Sequence, residues 1–478
     1  MKLLRTVLIT GNFNVLHPGH LRLFRFAKEY GDKLIVAVLS DNLSGIGAYV
    51  PENLRLEGVQ SNSWVDESFI IDEPITDVIL RIRPDFVVKG KEHEKIFNPE
   101  SEVLAQYGGT LVFGSGETVF SSLELIRKEF LEFDSKSISL PEEYLRRHVI
   151  KRDDLIFVIN KFPKLRICVV GDLIIDEYIT CQPLGMSQED PTVVVMPLDS
   201  TLFLGGAGIV AAHATGLGAS VDFISVTGSD STREFAVKKL EESKVKTHLL
   251  IDDSRPTSLK QRYRSKGKSL LRVSHLHQGA ISLAQQDKIF KVIEKVMHRT
   301  DLLVFSDFNY GCLPQPLVQR ITHIAKRHNV YLAADSQSSS QVGDISRFIG
   351  MDLLTPTEWE ARISTRNRED GLVVLAESLR QQSSAKNILL KLGEEGLLIH
   401  SSTANTNEWM TDRVDALNSS PKDAAGAGDS LLITTAMALA SGANIWEAAC
   451  LGSLAAAVQV GRVGNTPIKS NELIRELT

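Results

Sequence analysis

Residues Asp423–Asp429 read DAAGAGD and run directly into an apolar stretch, Ser430–Ala440 (SLLITTAMALA). Gly426, Ala427 and Gly428 place three small-residue backbone N–H groups at a helix start, where the dipole favours anions. Asp429 ends the turn, placed to take a proton from a hydroxyl while the amides hold charge developing on a phosphoryl group. A lone GxG would say little, because such pairs are common in turns. The full motif ahead of a long apolar helix is far more specific.

Working back from that turn, short apolar runs alternate with amphipathic stretches. Arg166–Val170, Leu302–Ser306, Val330–Ala334, Leu353–Thr355 and Asn387–Lys391 read as buried strands, which predicts a parallel sheet wrapped by helices. GDLIIDEY (Gly171–Tyr178) opens this series and LGGAGIVAAHATGLGA (Leu204–Ala219) follows it. SDF (306–308), TPTEWE (355–360) and KLGEEG (391–396) fall at the ends of the later strands.

With DAAGAGD, these segments resemble the ribokinase/PfkB sugar-kinase family over nearly all of 166–478. The resemblance implies an α/β domain with a small β-lid, here Ile179–Val195 with Lys260–Val273. It makes Asp429 the base, Gly426, Ala427 and Gly428 the anion hole, and Lys391, Gly393 and Gly396 the border of the nucleotide. Asp172, Asp176, Gly205 and Gly206 would meet the sugar, and Glu360 would organise Mg²⁺ through water. MSQEDPTVVV (186–195) and PTSLKQRYRSKGKSLLRVS (256–274) are similar to the heptose 7-phosphate kinase/heptose 1-phosphate adenylyltransferase family. Lys260, Arg262 and Arg272 sit at matching basic positions, as ligands for a phosphate already on the substrate. The plainer reading of Lys260 and Arg262 is a solvated basic face. Departures gather at the sugar end: Ile209 for an asparagine, Asp335-Ser336-Gln337 for Asp-Pro-Lys, Thr357 for Asn and Ala425 for Thr.

The first part of the chain has its own pattern. TVLIT (6–10), KLIVAVL (33–39), Phe86–Lys89 and Thr110–Phe113 read as strands, and His20–Tyr30 and Ser122–Phe133 as helices. Between the first strand and its helix lies GNFNVLHPGH (11–20). A Pro-Gly turn aims His17 and His20 at the mouth of the sheet, and backbone N–H groups of Gly11, Asn12 and Phe13 form an anion site. That suits attack by a phosphate oxygen on an NTP α-phosphorus, where charge stabilisation and alignment do the work. The alternative is two surface histidines; a zinc site lacks a nearby third ligand.

This segment, with YGDKLIVAVLSD (30–41), Arg55 in the following helix and RPDFVVKG (83–90), resembles the HxGH nucleotidyltransferase superfamily. By that resemblance His17, His20 and Lys89 stabilise the transition state. Arg127 meets the β/γ-phosphates, with Ser121 and Ser122 capping its helix. Asn14 stands where the family has Asp, and Ser121–Arg127 matches its pattern loosely.

The whole chain of 478 residues then reads as residues 1–133 nucleotidyltransferase, 134–163 linker and lead-in helix (Asp154–Phe162), and 164–478 kinase. A net charge of −6 argues against a nucleic-acid partner. Four scattered cysteines without a CxxC pair fit a reducing compartment, and no signal peptide or membrane span is legible, so the expectation is cytoplasmic. Together the halves imply a bifunctional enzyme making a nucleotide-activated sugar from a sugar phosphate and ATP, or CTP at the transferase. They also imply a homodimer or larger assembly through the kinase part, and a domain order reversed from the heptose family's. The competing reading is a working transferase for another sugar or alditol phosphate, carrying a degenerate kinase as a binding or dimerisation module.

Overall fold

The apolar run Thr6–Gly11 (β1) becomes the middle strand of a five-stranded parallel sheet. Its neighbours are β2 (Lys33–Leu39), β3 (Glu67–Ile71), β4 (Phe86–Gly90) and β5 (Thr110–Gly114), in the order β3-β2-β1-β4-β5. Alternate side chains of β1 feed opposite layers: Val7 and Ile9 pack with Phe24, Val36 and Val38, while Leu8 packs with Ile35, Val78 and Ile79. The order reverses between β1 and β4, whose carboxyl ends therefore frame a crevice of the kind that binds ligands in open α/β sheets.

This computed structural model divides the chain into two units, Met1–Ser135 and Lys136–Thr478. It describes residues 5–14, 16, 18–44, 50–90, 98–114, 138–190, 192–265, 268–338, 342–402 and 409–478. His17, Ser121, Ser122, Arg127 and the expected helix Ser122–Phe133 lie outside the described residues.

The second unit is built on a nine-stranded sheet. Its strands are β6 (Arg166–Gly171), β9 (Ser220–Thr227), β10 (Lys246–Ile251), β13 (Leu302–Asp307), β14 (Tyr331–Ser336), β15 (Leu353–Leu354), β16 (Asn387–Lys391), β17 (Leu397–Ser402) and β18 (Trp409–Val414). The order is β10-β9-β6-β13-β14-β15-β16-β17-β18; pairing is parallel up to β16 and antiparallel for the last two strands. Two large apolar layers cover the faces. Helices Ala427–Ala440 and Ile445–Val460 are buried along most of their length, as the apolar run after DAAGAGD predicts.

A separate four-stranded sheet, β12-β11-β7-β8, forms the lid from β7 (Leu173–Met186), β8 (Val193–Gly205), β11 (Ser258–Ser265) and β12 (Lys268–His275). It is larger than expected, because β7 continues straight from β6 after Gly171-Asp172 and β8 runs on to Gly205.

The expected linker is corrected as well. Helices Glu142–Arg147 and Arg152–Ile159 and a turn at Phe162–Lys164 belong to the second unit. Leu155, Val158, Ile159 and Phe162 recur at helical spacing and are buried in its main core, with the charged residues turned outward. Composition registers the outer face and misses that stripe. All four cysteines are buried free thiols, and no described helix is long and apolar enough to cross a membrane.

Candidate active sites

In the second unit, helix Ala427–Ala440 starts from Gly426, whose φ of +75° suits glycine. A Cβ there would lie 2.3 Å from Asn465 Oδ1. The turn thus needs glycine on both counts, and the helix start carries the N–H groups that have no intrahelical acceptor.

Asp429 is buried in the first turn, and Gln337 Nε2 donates to its Oδ1 at 3.2 Å. Burial and the neighbouring Asp335 push this carboxyl up to about 7, against the pull of Lys391. A base of that strength is matched to proton transfer near neutrality. Lys391, at the end of β16, donates to both oxygens of Asp335 at 3.0 and 2.8 Å. Its Nζ stands 3.3 Å from where a Gly428 Cβ would be, at the mouth of the anion turn. Burial favours its neutral form, yet the carboxylates of Asp335 and Glu360 prevail and hold its pKa above the ordinary lysine value. Gly393 and Gly396 bracket the turn between β16 and β17.

The expected sugar side is made by the lid. Asp176 on β7 is buried; its Oδ1 accepts from Arg262 Nη2 at 3.4 Å and its Oδ2 from Asn465 Nδ2 at 3.5 Å. Gly205, ending β8, passes so close that a Cβ would stand 2.4 Å from Asp176 Oδ2, and Gly206 begins the next helix. Along β11, Lys260, Arg262 and Arg264 share a face by strand alternation. Lys260 Nζ lies 5.0 and 5.1 Å from the ring centres of Phe308 and Tyr310, a cation–π seat. Arg272 stands opposite Arg262 in the β11–β12 register and is exposed.

Three of the expected residues make contacts within the fold. Asp172 Oδ2 accepts from the N–H of Phe308 (2.8 Å) and Tyr310 (3.3 Å), and Oδ1 from that of Cys312 (3.1 Å). It pins the loop that carries the two rings around Lys260. Glu360 is likewise engaged, its Oε1 with the Ser338 N–H at 3.0 Å and Oε2 with the Thr357 N–H at 2.7 Å. It closes a capping box with Thr357, and each of its oxygens keeps a lone pair free for a water. Among the described residues no group of three or more His, Cys, Asp or Glu could hold a metal. Ile209 is fully buried in the main core and contributes packing.

A tie between lid and anion turn escaped sequence reading. Tyr178 Oη donates to Asp423 Oδ2 at 2.9 Å, Arg264 Nη1 lies 3.7 Å from the same oxygen, and the N–H groups of Ala425 and Gly464 donate to Asp423 at 3.1 Å each. The one available signal was Tyr178 lying two residues beyond Asp176, on the same strand face.

In the first unit, Gly11 ends β1 and Lys89 is the penultimate residue of β4, the two strands that flank the switch in order. Phe13 takes a left-handed φ of +51°, and its ring meets that of His20 edge-on at 5.0 Å. Lys89 Nζ donates to the buried Glu100 Oε1 at 2.9 Å. Arg55 is almost fully buried; it donates to the carbonyls of Asn12 and Leu39 at 2.8 Å and to Asp41 Oδ1 at 2.6 Å, fixing the ends of β1 and β2. Asn12 Oδ1 accepts from Ser44 Oγ at 2.7 Å.

Comparison with known proteins agrees with both halves. The family model for pfkB family carbohydrate kinases matches residues 164–471, and the cytidylyltransferase-like model matches residues 8–110. That fixes the order within this chain; a reversal relative to the relatives finds no support in it. The bifunctional protein HldE of Nitratiruptor sp. is 32% identical over 63% of this chain and 62% of its own length. The HldE protein of Desulfatibacillum aliphaticivorans is 30% identical over 67% of this chain and 65% of its own. The matches therefore span less than two thirds of these relatives. Among solved structures, Escherichia coli phosphofructokinase-2 with substrates and products aligns over 66% of this chain and 98% of its own, with a TM-score of 0.55 and 16% identity. Arabidopsis thaliana ribokinase with ribose and ATP gives a TM-score of 0.51 at 15% identity, over 66% and 98%. At these identities the likeness is one of fold.

Proposed function

The chain belongs to the pfkB family of carbohydrate kinases, and from that premise we propose a bifunctional enzyme that makes a nucleotide-activated sugar. The kinase unit phosphorylates a sugar phosphate of the heptose type with ATP. The first unit joins NMP from an NTP, ATP ahead of CTP, to a sugar 1-phosphate and releases pyrophosphate.

The observation that carries this reading is the convergence on Asp429. A carboxylate whose proton affinity is tuned close to neutrality sits at a helix N-terminus, with Asp176, Lys260 and Arg262 of the lid on the sugar side. Asp429 takes the hydroxyl proton as that oxygen attacks the γ-phosphorus, and the Gly426–Gly428 amides receive the developing charge. Arg262 and Lys260 hold the phosphate the substrate already carries, which draws Arg262 away from Asp176. Mg²⁺ would accompany the triphosphate as its counter-ion.

In the first unit, His20, Lys89 and the β1 end supply donors to the NTP phosphates, with Arg55 holding the strand ends that shape the site. Lys89 must exchange Glu100 for phosphate to do so. A homodimer fits the lid, whose outer surface exposes Leu184, Met186, Val193, Leu198 and Leu271. Buried free thiols fit a reducing cytoplasm.

Phosphorus NMR with ATP, CTP and a panel of sugar phosphates tests the reading. A new sugar phosphomonoester and, with a sugar 1-phosphate, pyrophosphate are expected. Neither product from any pair would refute it.

A further inference from the structure

We propose that Lys391 is a positioning residue of the kinase centre, its ammonium locking Asp335 and balancing the carboxylates gathered around Asp429 and the anion turn. This rests on the kinase reading above and adds a role for a strand residue within it.

Four buried carboxylates converge here from separate elements: Asp176 on β7, Asp335 on β14, Glu360 on the helix after β15, and Asp429. Like charges so placed, away from water, take up protons unless a cation lies among them. Lys260 and Arg262 reach the cluster from the lid, beside Asp176. On the opposite side, both oxygens of Asp335 are taken by Lys391, whose side chain spans the two-residue strand β15 lying between β14 and β16.

Glu360 has its oxygens on backbone N–H groups, and its charge still acts through space on Lys391 and Asp335. Gln337 is neutral and fixes one oxygen of Asp429. The cation facing Asp429 from the sheet is thus Lys391, while Lys260 faces it from the lid and Asp335 and Asp176 oppose both. Its side chain is 12% exposed, which limits screening by water.

The test follows the Asp429 carboxyl itself in the full chain. Aspartate carboxyl carbons are ¹³C-labelled, the Asp429 signal is assigned by its loss in Asp429→Asn, and pH is titrated without substrate. Lys391→Met should move the Asp429 midpoint upward by about one pH unit, and Lys391→Arg should leave it near that of the parent chain. Asp335→Asn, which removes a negative neighbour, should move it downward in a chain whose circular dichroism matches the parent's, since unfolding would also lower the midpoint. With a sugar substrate, the acid limb of kcat/KM in Lys391→Met should rise in step while the sugar KM holds. An unmoved Asp429 midpoint in folded Lys391→Met overturns the proposal. If that variant does not fold, an unmoved midpoint in Asp335→Asn does so. Absence of sugar phosphorylation by the parent chain would overturn the kinase reading instead, and the titration would still decide the charge balance.

Discussion

Asp429 is the residue on which the proposed kinase chemistry turns, and two consequences follow from its burial. As the base, its replacement in Asp429→Asn should lower sugar phosphorylation by about 10²–10⁴-fold, read by ³²P transfer from ATP. Its stability effect has the opposite sign. The carboxyl is raised to about 7 in the folded state by burial and Asp335, so the fold holds a proton that the unfolded chain has already released. That contribution is fully present below about pH 4 and is lost as pH rises through 7. Asp429→Asn should therefore melt higher than the parent at pH 8, with the gap closing toward pH 4; calorimetry at the two pH values checks it. Asp172 makes the contrast. With three backbone donors on its carboxylate, Asp172→Ala should cost about 1–3 kcal/mol for each donor left unsatisfied, measured by denaturant unfolding. The glycines and Asp429 were legible because seven contiguous residues carry them. The Lys391–Asp335 pair, 56 residues apart, and the Gln337–Asp429 contact, 92 apart, were not, since such pairings exist only once the strand order is known. The backbone partners of Asp172 were not legible either, because a motif gives a residue type and not its partners.

At the scale of elements, the stretch 134–163 shows how far composition can mislead. Its helix Arg152–Ile159 lies close to the expected Asp154–Phe162, yet its apolar stripe is built into the second unit's core. Leu155, fully buried, should cost about 2–5 kcal/mol as Leu155→Ala. Phe157, 63% exposed on the same helix, should be close to neutral as Phe157→Ala. Urea unfolding of the pair separates a packed element from a linker, which would show no difference. The capping box at Thr357 explains why a departure from Asn is harmless to the helix start: threonine accepts the Glu360 N–H at 3.2 Å. Strands β1, β2, β4, β5, β6 and β13–β16 were legible from their apolar runs, whereas β3, β9, β10, β17 and β18 were not read. Much of β8 was not, because its side chains are largely exposed on a lid and no core imposes an alternating pattern on them.

At the scale of the molecule, two units with separate cores carry the two proposed sets of phosphate-handling residues, and no sheet draws strands from both. Parallel strand patterns and the two Gly-rich turns made that division legible, because each turn sits directly between a strand or loop and its helix. The relation of the matched halves to the relatives' full length was not legible, since no residue of this chain reports it. The division implies that each reaction can be removed without the other. Phosphorus NMR of the intact chain, Lys89→Met and Asp429→Asn, given ATP with a sugar phosphate and NTP with a sugar 1-phosphate, tests this most directly. Both products should appear with the intact chain, pyrophosphate alone should vanish in Lys89→Met, and the new phosphomonoester alone should vanish in Asp429→Asn. Neither product from the intact chain, or both lost through either single substitution, would contradict two independent centres in one chain.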